Sequence, residues 1–222
     1  DVIRDHPDWF SDASIPDKVS GEPFYDPEAR WIGACLSSFG ICYNSDSLRR
    51  LGVEKMPASW TDLTNPRLFK QVALADPTKS GSAAKAYEMV IQQQMQELVK
   101  EAASEDPAIL AVGWKRGLGI IQAASANARY FTDAGSKVPV DVSLGDAAAG
   151  MCIDFFGRFQ SESVKIDESP SRLQYFTPAG GSSVGVDPIG LLRGAPNRDV
   201  AEEFIAFVLS IEGQKLWNFK VG

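Results

Sequence analysis

Residues 74–90 read LADPTKSGSAAKAYEMV, and the polar side chains in this stretch arrive where a helix begins. Ser80 and Ser82 flank Gly81 at that point. Upstream, Val72-Ala73-Leu74-Ala75 is a short apolar run with the length of a buried strand. Asp76-Pro77 stops it, because proline has no N–H for a sheet ladder and favours a turn. From Ala83 onward, Ala84, Tyr87, Val90, Ile91, Met95, Leu98 and Ala102 fall at helical spacing, which predicts one amphipathic helix to about Ala103. Ser80 or Ser82 is its N-cap, and Gly81 lets a ligand come close to the backbone. Free N–H groups, serine hydroxyls and the positive end of the helix dipole together favour an anionic or strongly polar ligand.

The same residues also fit a catalytic pattern. Ser82-Ala83-Ala84-Lys85 is an S-x-x-K and Ser125-Ala126-Asn127 an S-x-N, two signatures of serine acyl enzymes. The third, Lys-Thr/Ser-Gly, occurs only as Lys79-Ser80-Gly81. It precedes Ser82 and overlaps its turn, where that chemistry needs it late and on a separate strand. His6 is the only histidine, so a His-based triad and a multi-His zinc site are both excluded. Cys35, Cys42 and Cys152 form no metal-like cluster; at most one disulfide is possible, with one thiol left over. No cofactor and no metal are expected.

The elements that position these residues belong to an ordinary globular chain. Its 222 residues, 44% hydrophobic and 23% charged, can bury a sizeable core as one large domain or two small lobes. A net charge of −7 and a pI of about 4.8 argue against a nucleic-acid or anionic-membrane surface. No apolar run reaches membrane-spanning length. The chain opens at Asp1 without a methionine, which reads as a mature form or an excised piece.

Residues 1–30 are polar and punctuated by proline, as a loop would be. WIGACLSSFGICY (31–43) is β-prone. Asn44-Ser45-Asp46 caps a short helix to about Leu51, Gly52 ends it, and Pro57-Ala58-Ser59-Trp60 starts another. After the first long helix, Pro107 begins a second, carried by Ile109, Leu110, Val112, Trp114, Leu118, Ile121 and Ala124. Residues 130–132 should be a strand, 140–149 a helix, 150–156 (GMCIDFF) and 173–176 strands, 183–192 β-prone, and 200–209 and 212–219 helices. This alternation predicts an α/β protein with mainly parallel pairing.

Read in order, several segments resemble the periplasmic substrate-binding proteins of ABC transporters, in the branch that contains the ferric-iron-binding proteins. They are CYNSDSLRRLGVEKMPASWTDLTNPRLFKQVALADPTKSGSA, Trp114 and Asn127, GDAAAGMCIDFF, and GVDPIGLLRGAPNRDVAEEFIAFVLSIEGQKLW. The resemblance covers about residues 30–220 and implies a two-lobed, type II α/β fold that closes on a ligand, with the Ser-Gly-Ser turn holding an anion. Iron-binding members carry two adjacent tyrosines where this chain has Phe155-Phe156. Phenylalanine offers no phenolate, so the scaffold is implied and the ferric site is not.

The ligand-binding residues expected on this basis are Ser80, Gly81, Ser82, Asn127, Arg129, Asp154 and Phe155. Arg129 would offer a planar fork to a carboxylate or phosphate. Asp154, acidic within an apolar strand, would accept from a ligand hydroxyl or ammonium. Phe155 would stack on or wall off an organic ligand, and Arg158 is a weaker candidate. The expected function is an extracytoplasmic, non-enzymatic binding protein that captures a small anionic solute between its lobes and delivers it to a permease. It would be periplasmic, or lipid-anchored in a Gram-positive host, with no nucleic-acid partner. The alternative is an effector-sensing domain of a transcription regulator.

Lobe two is expected at residues 44–178, with 1–43 and 179–222 forming hinge strands and an incomplete lobe one. On this reading the chain is an excised fragment lacking terminal segments. Lobe one should be thinly packed and expose Val186, Ile189, Phe204 and Phe207.

Overall fold

Two long apolar-striped segments capped at their starts, and five short β-prone runs, account for most of the larger part of the chain. The computed structural model describes residues 2–19, 21–167 and 169–218. In chain order its elements are α1 (Val2–Asp5), β1 (Lys18–Val19), β2 (Glu22–Pro23), β3 (Ile32–Asn44), α2 (Ser45–Arg50), β4 (Val72–Ala75), α3 (Gly81–Ala102), α4 (Pro107–Ala126) and β5 (Ala128–Thr132). There follow α5 (Lys137–Leu144), β6 (Ala149–Ile153), α6 (Asp154–Ser163), β7 (Leu173–Phe176), β8 (Val184–Ile189), α7 (Arg198–Leu209) and α8 (Ile211–Asn218). The expected helical end at Phe219 lies outside the described residues.

The chain divides into two units, residues 38–183 and residues 1–37 with 184–222. These boundaries fall a few residues from the lobe limits expected at 43/44 and 178/179.

In the larger unit the strand order is β5-β4-β6-β3-β7. β4 pairs in parallel with β5 and β6, whereas β3 is antiparallel to both β6 and β7. Only β3 therefore runs against its neighbours. Pairing is mixed, not mainly parallel as expected. Strands β4, β5, β6 and β7 follow one another through helical crossovers, which make strands parallel. β3 precedes that series and inserts between β6 and β7. The core includes Ile41, Leu48, Trp60, Leu63, Val72, Leu74, Val90, Val138, Val142 and Leu173, each no more than 1% exposed.

Helices α3 and α4 begin as the sequence predicts. The Ser80 side chain accepts from Ala83 N, and Asp106 accepts from Ala108 N, with Pro107 in the first turn. The two helices pack through Gly113 and Gly117. A Cβ on either would lie 2.5 Å from Met95 Cα or 2.6 Å from Ile91 Cα, so the α4 backbone rests directly on α3. No helix among the described residues is long and apolar enough to cross a membrane.

Between residues 137 and 163 the structure departs from expectation. The helix expected at 140–149 is α5, three residues earlier and shorter, and the strand β6 stops at Ile153. Asp154 then opens α6, an element the sequence reading missed. Asp154 is therefore in a first helical turn and not within a strand. Its carboxylate accepts from Phe155 N at 2.9 Å and complements the dipole there.

The smaller unit holds the β1–β2 hairpin, the start of β3 with its partner β8, and helices α1, α7 and α8. Its core is small: Val2, Ile32, Ile205 and Leu209 are buried, with Ile3, Trp9, Phe10, Tyr25, Ile189 and Leu191 against them. Phe204 and Phe207 are 58% and 46% exposed, as the sequence reading expects. Val186 and Ile189, also expected outside, are half-buried. Ile189 packs on that core because β8 pairs with β3. A buried carboxylate ties down the loop before β3. Asp26 accepts from Arg30 Nε (2.7 Å), Arg30 Nη2 (2.9 Å), Arg30 N (3.1 Å) and Glu28 N (3.2 Å).

Candidate functional site

Strand direction decides which residues can meet. In the larger unit the C-terminal ends of β4, β5, β6 and β7, and the point where β3 enters, share one edge of the sheet. In open α/β sheets ligands bind outside the carboxyl ends of the strands. The loop leaving β4 leads to Ser80 and α3, the loop leaving β5 contains Gly135 and leads to α5, and β6 leads directly to Asp154.

Ser80 and Ser82 place their hydroxyls 3.1 Å apart at the start of α3. Ser80 Oγ also accepts weakly from Ala83 N at 3.4 Å. A Cβ on Gly135 would meet both serine oxygens at 2.9 Å, so the β5–α5 loop is built against the serine pair and only glycine leaves the hydroxyls room. The loop that leads into α5 thus meets the start of α3, and the two helix starts add positive partial charge there, while Lys137 N and Val138 N already donate to Ala134 O and Gly135 O. The neighbouring carboxylate is turned elsewhere: Asp76 accepts from Thr78 N (2.8 Å) and Thr78 Oγ1 (2.7 Å), contacts that hold its pKa down. Further along α3, the buried Tyr87 hydroxyl has no hydrogen-bond partner among the described residues. Burial and the Asp76 charge push its pKa up to about 12.

Along the same edge lies a second polar group of residues. Ser38 Oγ donates to Asp154 Oδ2 at 3.2 Å and lies 3.1 Å from Thr177 Oγ1. Tyr175 OH is 3.2 Å from Thr177 Oγ1 and donates weakly to Ser38 O at 3.5 Å. Burial holds the Tyr175 phenol above its ordinary pKa, so it stays protonated at neutral pH. Arg158 sits over the Tyr175 ring, 5.6 Å from its centroid.

The expected site residues therefore separate. Ser80, Gly81 and Ser82 occupy the strand-end edge, and Asp154 shares it. Phe155 is half-buried against the core and meets Phe156 edge-to-face at 4.7 Å, which leaves less of it for a ligand than expected. Asn127 and Arg129 are not brought to the serines. Asn127 immediately precedes β5 and Arg129 is its second residue; β5 runs parallel to β4, so the strand separates them from the serine end by roughly 10–16 Å. Asn127 is buried, and its Nδ2 donates to Leu63 O and Asn65 O at 2.9 Å each, a structural role. Arg129 is exposed on an edge strand.

Three further features are accounted for without a ligand. A concavity of about 370 Å³ lined by Lys55, Asp62 and Arg67 lies away from the serine pair. Its Asp62 is occupied by Ala58 N, Ser59 N and Ser59 Oγ, and its Arg67 by Leu51 O. The S-x-x-K lysine, Lys85, forms an ion pair with Glu88 at 3.2 Å. All three cysteines are free and buried, and burial pushes the Cys152 thiol well up beside Cys42. Among the described residues no group of three or more His, Cys, Asp or Glu comes together to hold a metal.

This architecture and the full sequence agree on a class. Residues 10–220 match the family of bacterial extracellular solute-binding proteins, and the chain belongs to it. The solved periplasmic binding protein AfuA of Actinobacillus pleuropneumoniae, with fructose-6-phosphate bound, shares the fold. Its TM-score is 0.65 at 24% identity, over 88% of this chain and 57% of AfuA. An uncharacterized protein of Haemophilus influenzae is 28% identical over 88% of this chain and 51% of its own length. The phosphoglycerate transport regulatory protein PgtC of Salmonella typhimurium is 22% identical over 83% of this chain and 40% of its own. The chain thus spans about half the length of the relatives it matches. The fold is the two-lobed α/β fold of type II periplasmic binding proteins, and the family consists of non-enzymatic proteins.

Proposed function

We propose that the chain is the solute-gripping part of a binding protein that takes up a small anion and passes it to an ABC-transporter permease. The anion, a phosphate ester, a carboxylate or phosphate, is held at Ser80, Gly81 and Ser82, with the backbone around Gly135 completing the grip. The observation that carries this reading is the serine pair, with hydroxyls 3.1 Å apart, set where two helix starts converge. Neutral donors fixed at a helix N-terminus suit an anion even on a chain of net charge −7, because the dipole acts only within the first turn. AfuA is solved with fructose-6-phosphate bound and PgtC is named for phosphoglycerate transport, which supports the same chemistry here.

Asp154 and Phe155 contribute to the organic part of the solute. Phe155-Phe156 in place of a tyrosine pair disfavours ferric iron as the cargo. The site works outside the cytoplasm, and a longer polypeptide containing this chain supplies the rest of the binding surface. Titration calorimetry with inorganic phosphate, fructose 6-phosphate, phosphoglycerate and citrate tests the reading. Saturable binding of at least one, abolished or weakened by Ser80→Ala/Ser82→Ala, is expected. No heat from any of the four would overturn it.

A further inference from the structure

We infer that Ser38, Asp154, Thr177 and Tyr175 form a subsite that reads hydroxyl groups, so that the solute is a polyhydroxylated phosphate ester and not free phosphate. This rests on the anion reading of Ser80 and Ser82. The four residues come from three segments far apart in sequence, the middle of β3, the start of α6 and the end of β7. The sheet register brings them together: Phe39 lies opposite Ile153, and Ile41 opposite Phe176.

Hydrogen-bond capacity identifies what the subsite can take. Asp154 Oδ1 accepts once, from Phe155 N, and Oδ2 accepts once, from Ser38 Oγ. An ionised carboxylate oxygen accepts about twice, so each oxygen keeps a free lone pair. Ser38 spends its hydrogen on Asp154. Thr177 Oγ1 lies within hydrogen-bond distance of both Ser38 Oγ and Tyr175 OH, and Thr177 is exposed. With the Ser38 hydrogen on Asp154, Thr177 is the donor in its 3.1 Å contact with Ser38, and the threonine oxygen keeps a free lone pair. The subsite therefore presents acceptors on both Asp154 and Thr177. Neighbouring sugar or polyol hydroxyls, each giving its hydrogen to one of these oxygens, match that pair.

Other ligand chemistries fit less well. A second anionic group would be repelled by Asp154. A cation would find a single carboxylate, already compensated by the α6 dipole and by two donors, and no cluster of three acidic, His or Cys side chains among the described residues. Spacing agrees as well. In the order β4-β6-β3 the serine end and Ser38 are two strands apart, about 10 Å at the usual inter-strand distance. Asp154, at the end of β6, lies between them. A phosphoryl group at the serines would thus leave a short hydroxylated chain lying along the edge towards Asp154 and Thr177.

Titration calorimetry of this chain with glycerol 3-phosphate, fructose 6-phosphate and n-propyl phosphate separates this inference from the reading beneath it. The wild type should bind the two hydroxylated esters roughly tenfold or more tighter than propyl phosphate. Asp154→Asn and Thr177→Val should each shrink that ratio towards one while leaving propyl phosphate within about twofold. Thr177 is exposed, so its variant should keep the wild-type melting temperature, and it remains informative if Asp154→Asn fails to fold. Equal wild-type affinity for hydroxylated and plain esters would overturn the subsite and leave the anion site standing. A ratio unchanged in Thr177→Val and in folded Asp154→Asn would do the same. Failure of all three esters to bind would overturn both.

Discussion

A Cβ on Gly135 would lie 2.9 Å from the Ser80 hydroxyl oxygen, and equally close to that of Ser82. The β5–α5 loop and the start of α3 are therefore fitted to one another, and Gly135→Ala should force the hydroxyls out of position. Its expected effect is a drop in affinity for phosphate esters of about tenfold, read by calorimetry, with little change in melting temperature. Wild-type affinity would mean that the serines turn freely and that Gly135 has no part in the grip.

Gly81 gives the opposite test. A Cβ there meets nothing within 4 Å, and the residue is the first of α3. Alanine in place of a helical glycine stabilises by up to about 1 kcal/mol. Gly81→Ala should therefore raise the melting temperature while lowering affinity, since the new methyl occupies space that an anion needs. A rise in both would show that no ligand approaches that backbone.

Removing the Ser80 and Ser82 hydroxyls together should weaken a phosphate ester by roughly 1.5–3 kcal/mol for each bond lost to the charged ligand. Binding of a phosphate ester with the wild-type constant in the double alanine variant would place the anion elsewhere. Arg129→Ala serves as the comparison. Arg129 lies at the far end of β5 from the serines, and its loss should leave affinity within about twofold.

Gly117→Ala should destabilise the larger unit. Its Cβ would stand 2.6 Å from Ile91 Cα, and overpacking of this kind costs about 1–3 kcal/mol. Urea unfolding measures it, and an unchanged midpoint would mean that α4 slides off α3 at no cost.

The Asp26–Arg30 pair predicts a pH dependence in the smaller unit. Donation from Arg30, opposed by desolvation, holds the Asp26 pKa down to about 2 against an ordinary value of 3.8. A depressed carboxylate contributes stability above its unfolded pKa and loses it as pH falls through the folded one. The destabilisation caused by Asp26→Asn should therefore be full at pH 6, shrink below about pH 4 and vanish near pH 2. A penalty that does not change from pH 6 to pH 2 would contradict the assignment.

The sequence carried some parts of this architecture and hid others for physical reasons. α3 and α4 were legible because a 3.6-residue apolar period, a capping side chain and, for α4, Pro107 in the first turn all coincide. The boundary at Ile153 was not, because GMCIDFF is apolar apart from Asp154, and periodicity cannot tell a buried strand from a helix over seven residues. The insertion of β3 between β6 and β7 is a matter of long-range pairing, which alternation of elements leaves open. The serine pair was visible from local capping chemistry. Gly135, Ser38, Thr177 and Tyr175 were not, since only the register brings them beside the serines and Asp154. Asn127 and Arg129 were misplaced for the same reason: nearness in sequence order does not say at which end of a parallel strand a residue sits.

The glycine contact between α3 and α4 has a consequence for binding strength. A 22-residue helix laid backbone-to-backbone against a 20-residue partner has little freedom to bend, so its first turn is already aimed before any solute arrives. On the proposed anion reading, binding would then order few groups, and more of the attraction between anion and N–H donors would survive as measured affinity. The large-scale rigidity of the helix pair thus becomes preorganisation at two serine hydroxyls.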